Sequence, residues 1–172
     1  MKNKLIKKVV TLTLAAVMVV SSAAAVFGAS YISESTAISK ALKNAGTTRS
    51  AVWGLECERE GSGYEIEFTK GSKEYSYEIS AINGFIREKT VEYRYVHSSG
   101  SKIGKTAAKN KALKYAGVKA SSVSYISCYY DYDDGKEIYE VKFRKGNFVY
   151  ECEVNARSGK MVEYSRDYQK AY

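Results

Sequence analysis

The chain is poor in the residues that build catalytic and metal sites. It has one histidine, His97, and three cysteines, Cys57, Cys128 and Cys152, among 172 residues. It contains no His-Glu-x-x-His segment, no Cys-x-x-Cys pair and no glycine-rich phosphate loop. Acid–base and nucleophilic catalysis need a base beside its partner, and His97 could serve only Cys57 or Cys128. We therefore expect a protein that is not an enzyme, with no cofactor and no metal.

An odd number of cysteines excludes a complete disulfide framework in an exported protein. Cys57 and Cys128 hold equivalent places in a repeat described below, while Cys128 and Cys152 share a predicted strand face with one strand between them. Strands separated in this way lie about 9.6 Å apart, beyond the Cα separation of up to about 7 Å that a disulfide tolerates. Three buried free thiols are expected, and a Cys57–Cys128 bridge is the alternative.

Proline is absent, whereas tyrosine occurs 16 times. Tyr, Val, Ile and Phe alternate with charged residues over long runs, which is typical of half-buried strands. The formal charge is +8, but residues 1–29 hold four lysines and no acid, so the remainder carries +4. This surplus does not indicate a nucleic-acid-binding protein. It would permit weak attraction to an anionic cell-wall polymer.

Residues 1–29 have the layout of a secretory signal peptide. A lysine-rich start precedes an apolar stretch with threonines, Val9 to Val20, and small residues follow. Retention as an anchor is the alternative, because Val9 to Ala29 is 21 residues and a membrane span needs about 20. No cysteine lies near the cleavage zone, so a lipid anchor there is not expected. We predict a secreted or extracytoplasmic protein, cleaved after Ala25, Gly28 or Ala29.

The rest of the chain is a duplication. Residues 32–52 match residues 103–123 at ten of 21 positions without a gap, at an offset of 71. Further on, Tyr64-Glu-Ile-Glu-Phe68 matches Tyr139-Glu-Val-Lys-Phe143 at an offset of 75. A match of this length indicates a tandem of one unit. We predict a first repeat at residues 30–95, a linker at 96–101 and a second repeat at 102–172.

Each unit is predicted to begin with a helix and to continue in strands. Ser33 fits an N-cap, and Gly46 and Gly117 stand where a helix ends in the left-handed conformation. The apolar stripe of the first helix consists of Ala37, Ile38, Ala41, Leu42 and Ala45. The predicted fold class is α+β: two repeats, each with one helix packed on a three- to four-stranded antiparallel meander sheet. Units of about 65 residues are near the lower limit for an independent core, so the two are expected to dock.

The order of these segments resembles the PepSY domain, named for peptidase propeptides and the YpeB spore protein. The segments are AISKALKNAG, YEIEF and YSYEISAINGFI in the first unit, and AAKNKALKYAG, YEVKF and YECEVNARSGKM in the second. Ser80 and Asn155 stand where the family often has Asp. The resemblance implies a domain of propeptides, surface proteins and membrane sensors that restrains peptidases and has no catalytic residues.

On the basis of this resemblance, we expect a secreted non-catalytic binding module. It would restrain or inhibit a peptidase or dock on another envelope protein, and it would bind neither nucleic acid nor, after signal cleavage, a membrane. The alternative is a cell-wall polymer or small-ligand binding protein at the cell surface.

The stretch CYYDYDDGKE, from Cys128 to Glu137, concentrates acids beside a glycine. Counted from Asp131 as a calcium loop, positions 5, 6 and 12 would be Gly135, Lys136 and Lys142, so the ligand spacing fails. The stretch replaces a shorter turn of the first unit and is predicted to be an enlarged hairpin tip. Outward tyrosines, with Tyr164 expected among them, suit a protein-binding surface beside charge. The predicted partner contacts are Tyr129, Tyr130, Asp131, Tyr132, Asp133 and Asp134.

Overall fold

The computed structural model describes residues 31–133 and 135–170, with the backbone alone at position 133. The predicted leader, residues 1–29, lies outside this part. A helix, a 3₁₀ turn and four strands follow one another twice. The first unit consists of α1 (Glu34–Asn44), a turn (Arg49–Ala51), β1 (Trp53–Glu60), β2 (Gly63–Lys70), β3 (Lys73–Ser80) and β4 (Ile86–Tyr93). The second consists of α2 (Lys105–Ala116), a turn (Ala120–Ser122), β5 (Tyr125–Asp133), β6 (Lys136–Lys145), β7 (Phe148–Asn155) and β8 (Met161–Tyr168).

The ends of the helices follow the predicted signals. Ser33 caps α1, since its Oγ accepts the N–H of Thr36 at 3.2 Å. Gly46 and Gly117 have φ angles of 61° and 66°, the left-handed conformation expected after a helix. The N-cap of α2 is Gly104, which provides no side-chain hydrogen bond to the helix. Neither described helix is long and apolar enough to cross a membrane.

The prediction of two separate helix-on-sheet repeats was wrong, because the described strands form one sheet. Its eight antiparallel strands have the order β1-β2-β3-β4-β8-β7-β6-β5. Each unit is a four-stranded meander, and the pairing of β4 with β8 joins the two meanders. The physical reason is that a separate sheet would leave the outer edge of each fourth strand without backbone partners. Helix α1 packs on β2 and β3, and α2 packs on β5, β6 and β7.

The β4–β8 joint is symmetric about one residue pair. Thr90 pairs with Ser165, and Ser165 is the residue of the second unit that corresponds to Thr90. On one side of this pair Glu88 faces Asp167, and on the other Glu92 faces Glu163. A pseudo-two-fold axis therefore passes through the Thr90–Ser165 pair, and the joint has the geometry of an isologous interface. The axis places both helices on the same face of the sheet.

The core lies between the helices and this face. Phe143 stacks on Tyr150 with ring centroids 4.8 Å apart, and Phe68 stacks on Tyr75 at 5.1 Å. Tyr164 was predicted to point outward, and this was wrong: it is only 7% exposed. The β4–β8 pairing puts it in the middle of the sheet beneath Tyr115 of α2, where the ring centroids are 5.0 Å apart. Alternation within one strand does not reveal which face the helices will cover.

All three cysteines are free thiols. Cys128 and Cys152 lie in one row with Val141 of β6 between them, as the meander predicted. The alternative Cys57–Cys128 bridge is excluded within one chain, because β1 and β5 are opposite edges of the sheet. Burial, with a smaller contribution from Glu34, raises the pKa of the Cys57 thiol to about 11. Burial also raises the pKa of Cys152 to about 12, so neither thiol is an activated nucleophile.

Candidate functional site

The face of the sheet opposite the helices is covered by neither described helix. Both described helices pack on the other face, and alternation along each strand sends every second side chain to this one. We call it the open face. Its outward positions carry mainly glutamate, hydroxyl and tyrosine side chains, so the period-two pattern of the sequence builds two chemically different surfaces.

Two rows of carboxylates cross the open face at right angles to the strands. Neighbours within each row are direct cross-strand partners. The first row consists of Glu58, Glu65, Glu78, Glu88 and Asp167. The second row consists of Glu74, Glu92, Glu163, Glu153 and Glu140. Together they hold ten of the 19 acidic residues of the chain, and the pseudo-two-fold axis relates most positions of one row to those of the other.

Burial and crowding raise the pKa of two carboxyl groups on the open face. Burial, followed by repulsion from Glu65 and other neighbours, raises the pKa of Glu67, which lies between the rows. Burial, followed by repulsion from Asp167 and Glu78, raises the pKa of Glu88. Like charges directly opposite one another destabilise a sheet. The open face therefore has a negative potential that a basic surface would relieve.

Basic side chains offset part of this charge. Arg87 forms an ion pair with Glu78 at 2.9 Å, and Lys142 pairs with Glu151. Within residues 31–133 and 135–170, no three His, Cys, Asp or Glu side chains converge closely enough to hold a metal ion. An array spread over several strands suits a broad cationic surface better than a single ion.

The predicted partner-contact segment lies on β5, at one edge of the sheet. Tyr129 and Tyr132 are 63% and 64% exposed. Tyr130 is engaged within the chain, since its hydroxyl donates to Glu137 Oε1 at 3.1 Å and Lys102 Nζ lies 3.5 Å from its ring centroid.

The acids of this segment are less fully described. Asp131 accepts the N–H of Tyr132 at 2.8 Å. The side chain of Asp133 and the whole of Asp134 lie outside the described residues. The role of all six residues as partner contacts stays a prediction.

The extra residues of the second unit lengthen the strands of this hairpin. β5 and β6 have 9 and 10 residues, whereas β1 and β2 have 8 each. At about 3.4 Å per residue, the β5–β6 ribbon extends several ångströms further than its counterpart. The predicted enlarged tip is thus an extended ribbon.

The linker between the repeats packs on this ribbon. The Tyr95 hydroxyl accepts the N–H of Glu137 at 2.9 Å, and Asn155 Nδ2 donates to the Val96 carbonyl at 3.0 Å. The Arg157 guanidinium donates to the Glu137 carboxylate, and this hydrogen bond is the main reason that the pKa of Glu137 is lowered. The extension therefore holds the linker, a role that the sequence signalled only by placing the insertion in this hairpin.

His97 belongs to the same linker contact. Its ring meets that of Tyr95 edge to face, with centroids 5.2 Å apart, and it lies against Gly135. Cys57 lies on the far edge strand β1 and Cys128 on the helix face of β5. The only histidine thus has a packing role in the linker.

Comparison with known sequences identifies the repeated unit. The family described as "Peptidase propeptide and YPEB domain", PepSY, matches residues 31–90 and 102–164. The chain belongs to the PepSY family. Each PepSY match includes the helix of one unit and extends into its fourth strand. The predicted family and its tandem occurrence are therefore confirmed.

Individual relatives of this PepSY protein are distant. It is 35% identical over 66 residues to the protein Spy1430 of Streptococcus pyogenes serotype M6, itself uncharacterized. That alignment covers 38% of this chain and 51% of Spy1430, so the chain spans about half the length of this relative.

Two crystal structures also show similarity. A lipoprotein candidate from Clostridium difficile 630 is 18% identical, with a TM-score of 0.33, over 68% of this chain and 82% of that one. A BLIP-like protein from Bacteroides fragilis is 16% identical, with a TM-score of 0.29, over 82% of this chain and 92% of that one. At these scores the likeness carries no argument about function.

Proposed function

We propose that this PepSY protein is an extracytoplasmic, non-catalytic binding module whose open face docks on a basic surface of a protein partner. The partner is a peptidase that it restrains or another envelope protein. The observation that supports this proposal most directly is the pair of carboxylate rows on a sheet face that neither described helix covers.

The rows support a docking role because they are unfavourable in the isolated protein. Glutamates directly opposite one another repel, and this repulsion adds to burial, the larger cause, in raising the pKa of Glu88. A partner that brings Lys or Arg side chains to the rows would relieve it. Complementary charge would also accelerate association and exclude partners with acidic surfaces.

The PepSY family supports a peptidase as the partner, since its description names peptidase propeptides. The exposed Tyr129 and Tyr132 lie on an edge strand of the same sheet. Tyrosine is enriched in protein interfaces because it combines a large apolar area with a hydrogen-bonding hydroxyl. Tyr129, which pairs with Glu140 of the second row, would extend the docking surface beyond the charged rows.

The proposal is tested with the purified protein and the secreted and envelope proteins of its source organism, peptidases included. We expect saturable inhibition or binding that weakens as salt increases. A triple variant, Glu65→Gln, Glu78→Gln and Glu88→Gln, should weaken binding by about 10-fold or more, while Lys40→Gln, Lys43→Gln and Lys114→Gln on the helices should leave it unchanged. Binding that ignores the glutamate variant, or no binding to any of these proteins, would overturn the proposal.

The same variants test the alternative of a cell-wall polymer partner. The two helices carry six lysines and one glutamate, which makes the helix side suitable for an anionic polymer. Retention on purified cell wall that is lost in the lysine variant, together with no glutamate-dependent protein binding, would replace our proposal with that alternative.

A further inference from the structure

Two cations face each other on the helix side of the β4–β8 joint. Lys89 of β4 and Arg166 of β8 are direct cross-strand partners. They lie between the strands that α1 covers and those that α2 covers, and both are half-buried. Like charges directly opposite each other on adjacent strands are destabilising, so this pair requires an explanation.

Packing does not require a cation at either position, as the other unit shows. The equivalent of Arg166 in the first unit is Val91, which is only 1% exposed. The equivalent of Lys89 in the second unit is the buried Tyr164. In each case the position related by the pseudo-two-fold axis holds an uncharged side chain. The fold therefore accepts an uncharged residue at both positions.

The Lys89 ammonium has a neutral partner. Its Nζ donates to Asn44 Oδ1 at 3.0 Å, and the same oxygen accepts the Tyr77 hydroxyl at 3.2 Å. Burial, followed by repulsion from Arg166, lowers the pKa of Lys89. Asn44 is the last residue of α1, so the negative end of the helix dipole gives Lys89 partial compensation.

Arg166 is less well satisfied. Its guanidinium lies over the Phe148 ring at 4.7 Å from the centroid, but its Nε is buried and has no hydrogen-bond acceptor among the described residues. Within that part of the chain, no carboxylate forms an ion pair with either Arg166 or Lys89. A buried donor without an acceptor costs free energy, and the cost is greater for a charged group.

We propose that the helix side of the β4–β8 joint binds an oxyanion group, phosphate or carboxylate, between Arg166 and Lys89. The guanidinium offers the planar fork that matches two oxygens of such a group, and the lysine adds a point charge from the neighbouring strand. The negative charge of the bound group would remove the repulsion between the two cations. This site lies on the opposite side of the sheet from the open face and is independent of the docking proposed there.

The test is thermal unfolding of the purified protein in sodium phosphate, sodium acetate and sodium chloride at equal ionic strength and pH. We expect phosphate, acetate or both to raise the melting temperature above the chloride value by roughly 4 °C or more, with saturation. The two anions distinguish a phosphate from a carboxylate ligand. Titration calorimetry with the more effective anion should give a single site.

The decisive variant is Arg166→Val, which places the residue of the first unit at this position. It should raise the melting temperature in chloride, because the repulsion disappears, and weaken anion binding by about 10- to 100-fold. Arg59→Met is the matched control, since Arg59 also lies over aromatic rings, those of Tyr31 and Tyr64, but has no opposing cation. It should keep the anion response.

If Arg166→Val does not fold, Lys89→Met gives the same test from the neighbouring strand. An anion-dependent rise that is equal in the wild type and in the Arg166 or Lys89 variant would overturn the proposal, because general salt effects would then explain it. The absence of any rise above chloride in the wild type would overturn it as well.

Discussion

The two sides of the sheet differ in charge as much as in packing. On the helix side, aromatic and aliphatic side chains form the core, and the helices above them carry six lysines and one glutamate. On the open face, ten carboxylates stand in two rows. One strand pattern, apolar and acidic in alternation, produces both surfaces at once.

This difference shows why net charge is a poor guide to partners. The formal charge of +4 outside residues 1–29 predicts weak attraction to anionic polymers. That prediction applies to the helix side alone, because the open face has the opposite sign. A protein with this arrangement can attract a basic partner while its overall charge is positive.

Alanine substitutions on the two sides should differ most in their effect on the free energy of unfolding. Phe143 is fully buried against Tyr150, so Phe143→Ala should lower the free energy of unfolding by about 3–5 kcal/mol. Tyr129→Ala on β5 should change it by about 0.5 kcal/mol or less, because that ring is mostly exposed. Urea unfolding measures both values. Similar losses in the two variants would contradict the assignment of the faces.

The next largest effect is expected at the linker, which packs on the β5–β6 ribbon. Tyr95→Phe removes the hydroxyl that accepts the Glu137 N–H and should cost about 0.5–1.5 kcal/mol. Tyr132→Phe is the control, because among the residues that the structure describes that hydroxyl accepts no backbone N–H. Hydrogen exchange should show faster exchange of the Glu137 amide in the Tyr95 variant alone, and unchanged exchange would argue against the linker contact.

Replacing glutamate by glutamine should change the free energy of unfolding in opposite directions on the two sides. Glu65→Gln or Glu88→Gln relieves repulsion in the first row and should raise the free energy of unfolding by about 0.2–1 kcal/mol each. Glu34→Gln, in the first turn of α1, removes a favourable charge at a helix N-terminus and should lower it by about 0.3–1 kcal/mol. Both effects should become smaller in high salt. If the substitutions on both sides changed the free energy of unfolding in the same direction, repulsion within the row would be refuted.

The smallest expected effect is a pH dependence that belongs to the open face. Glu67 and Glu88 have raised pKa values, so the folded state binds protons more readily than the unfolded state. Their contribution to stability therefore rises as pH falls from neutral toward the ordinary glutamate pKa of 4.5. Glu137 acts in the opposite sense at lower pH, because its pKa is lowered. Thermal unfolding between pH 7 and pH 5 should show the rise, and Glu67→Gln with Glu88→Gln should flatten it.

Local structure and family could be predicted from the sequence because they depend on nearby residues. The cap at Ser33, the glycines after both helices and the alternating strands are local signals, and the offset between the repeats revealed the duplication. The edge-to-edge joint could not be predicted in this way, since pairing between β4 and β8 connects residues more than 70 positions apart. The error at Tyr164 has the same origin.

The candidate site was only partly visible in the sequence. The alternation of apolar with charged residues, as at Glu65 and Glu67, showed that many strands have one charged face. Their alignment into rows depends on the register between strands, which a single sequence does not state. The opposition of Lys89 and Arg166 was hidden for the same reason, because it exists only once the two repeats pair.

The symmetric pair at Thr90 and Ser165 has a consequence for the origin of the chain. An isologous contact fits a copy of itself, so a protein with one unit could form the same joint as a homodimer, with two fourth strands paired around one residue. Such a dimer would dissociate on dilution. Fusing its two subunits into one chain makes the encounter intramolecular, so that the eight-stranded face persists at any protein concentration and each half is free to change independently, as Arg166 and the long β5–β6 ribbon have done.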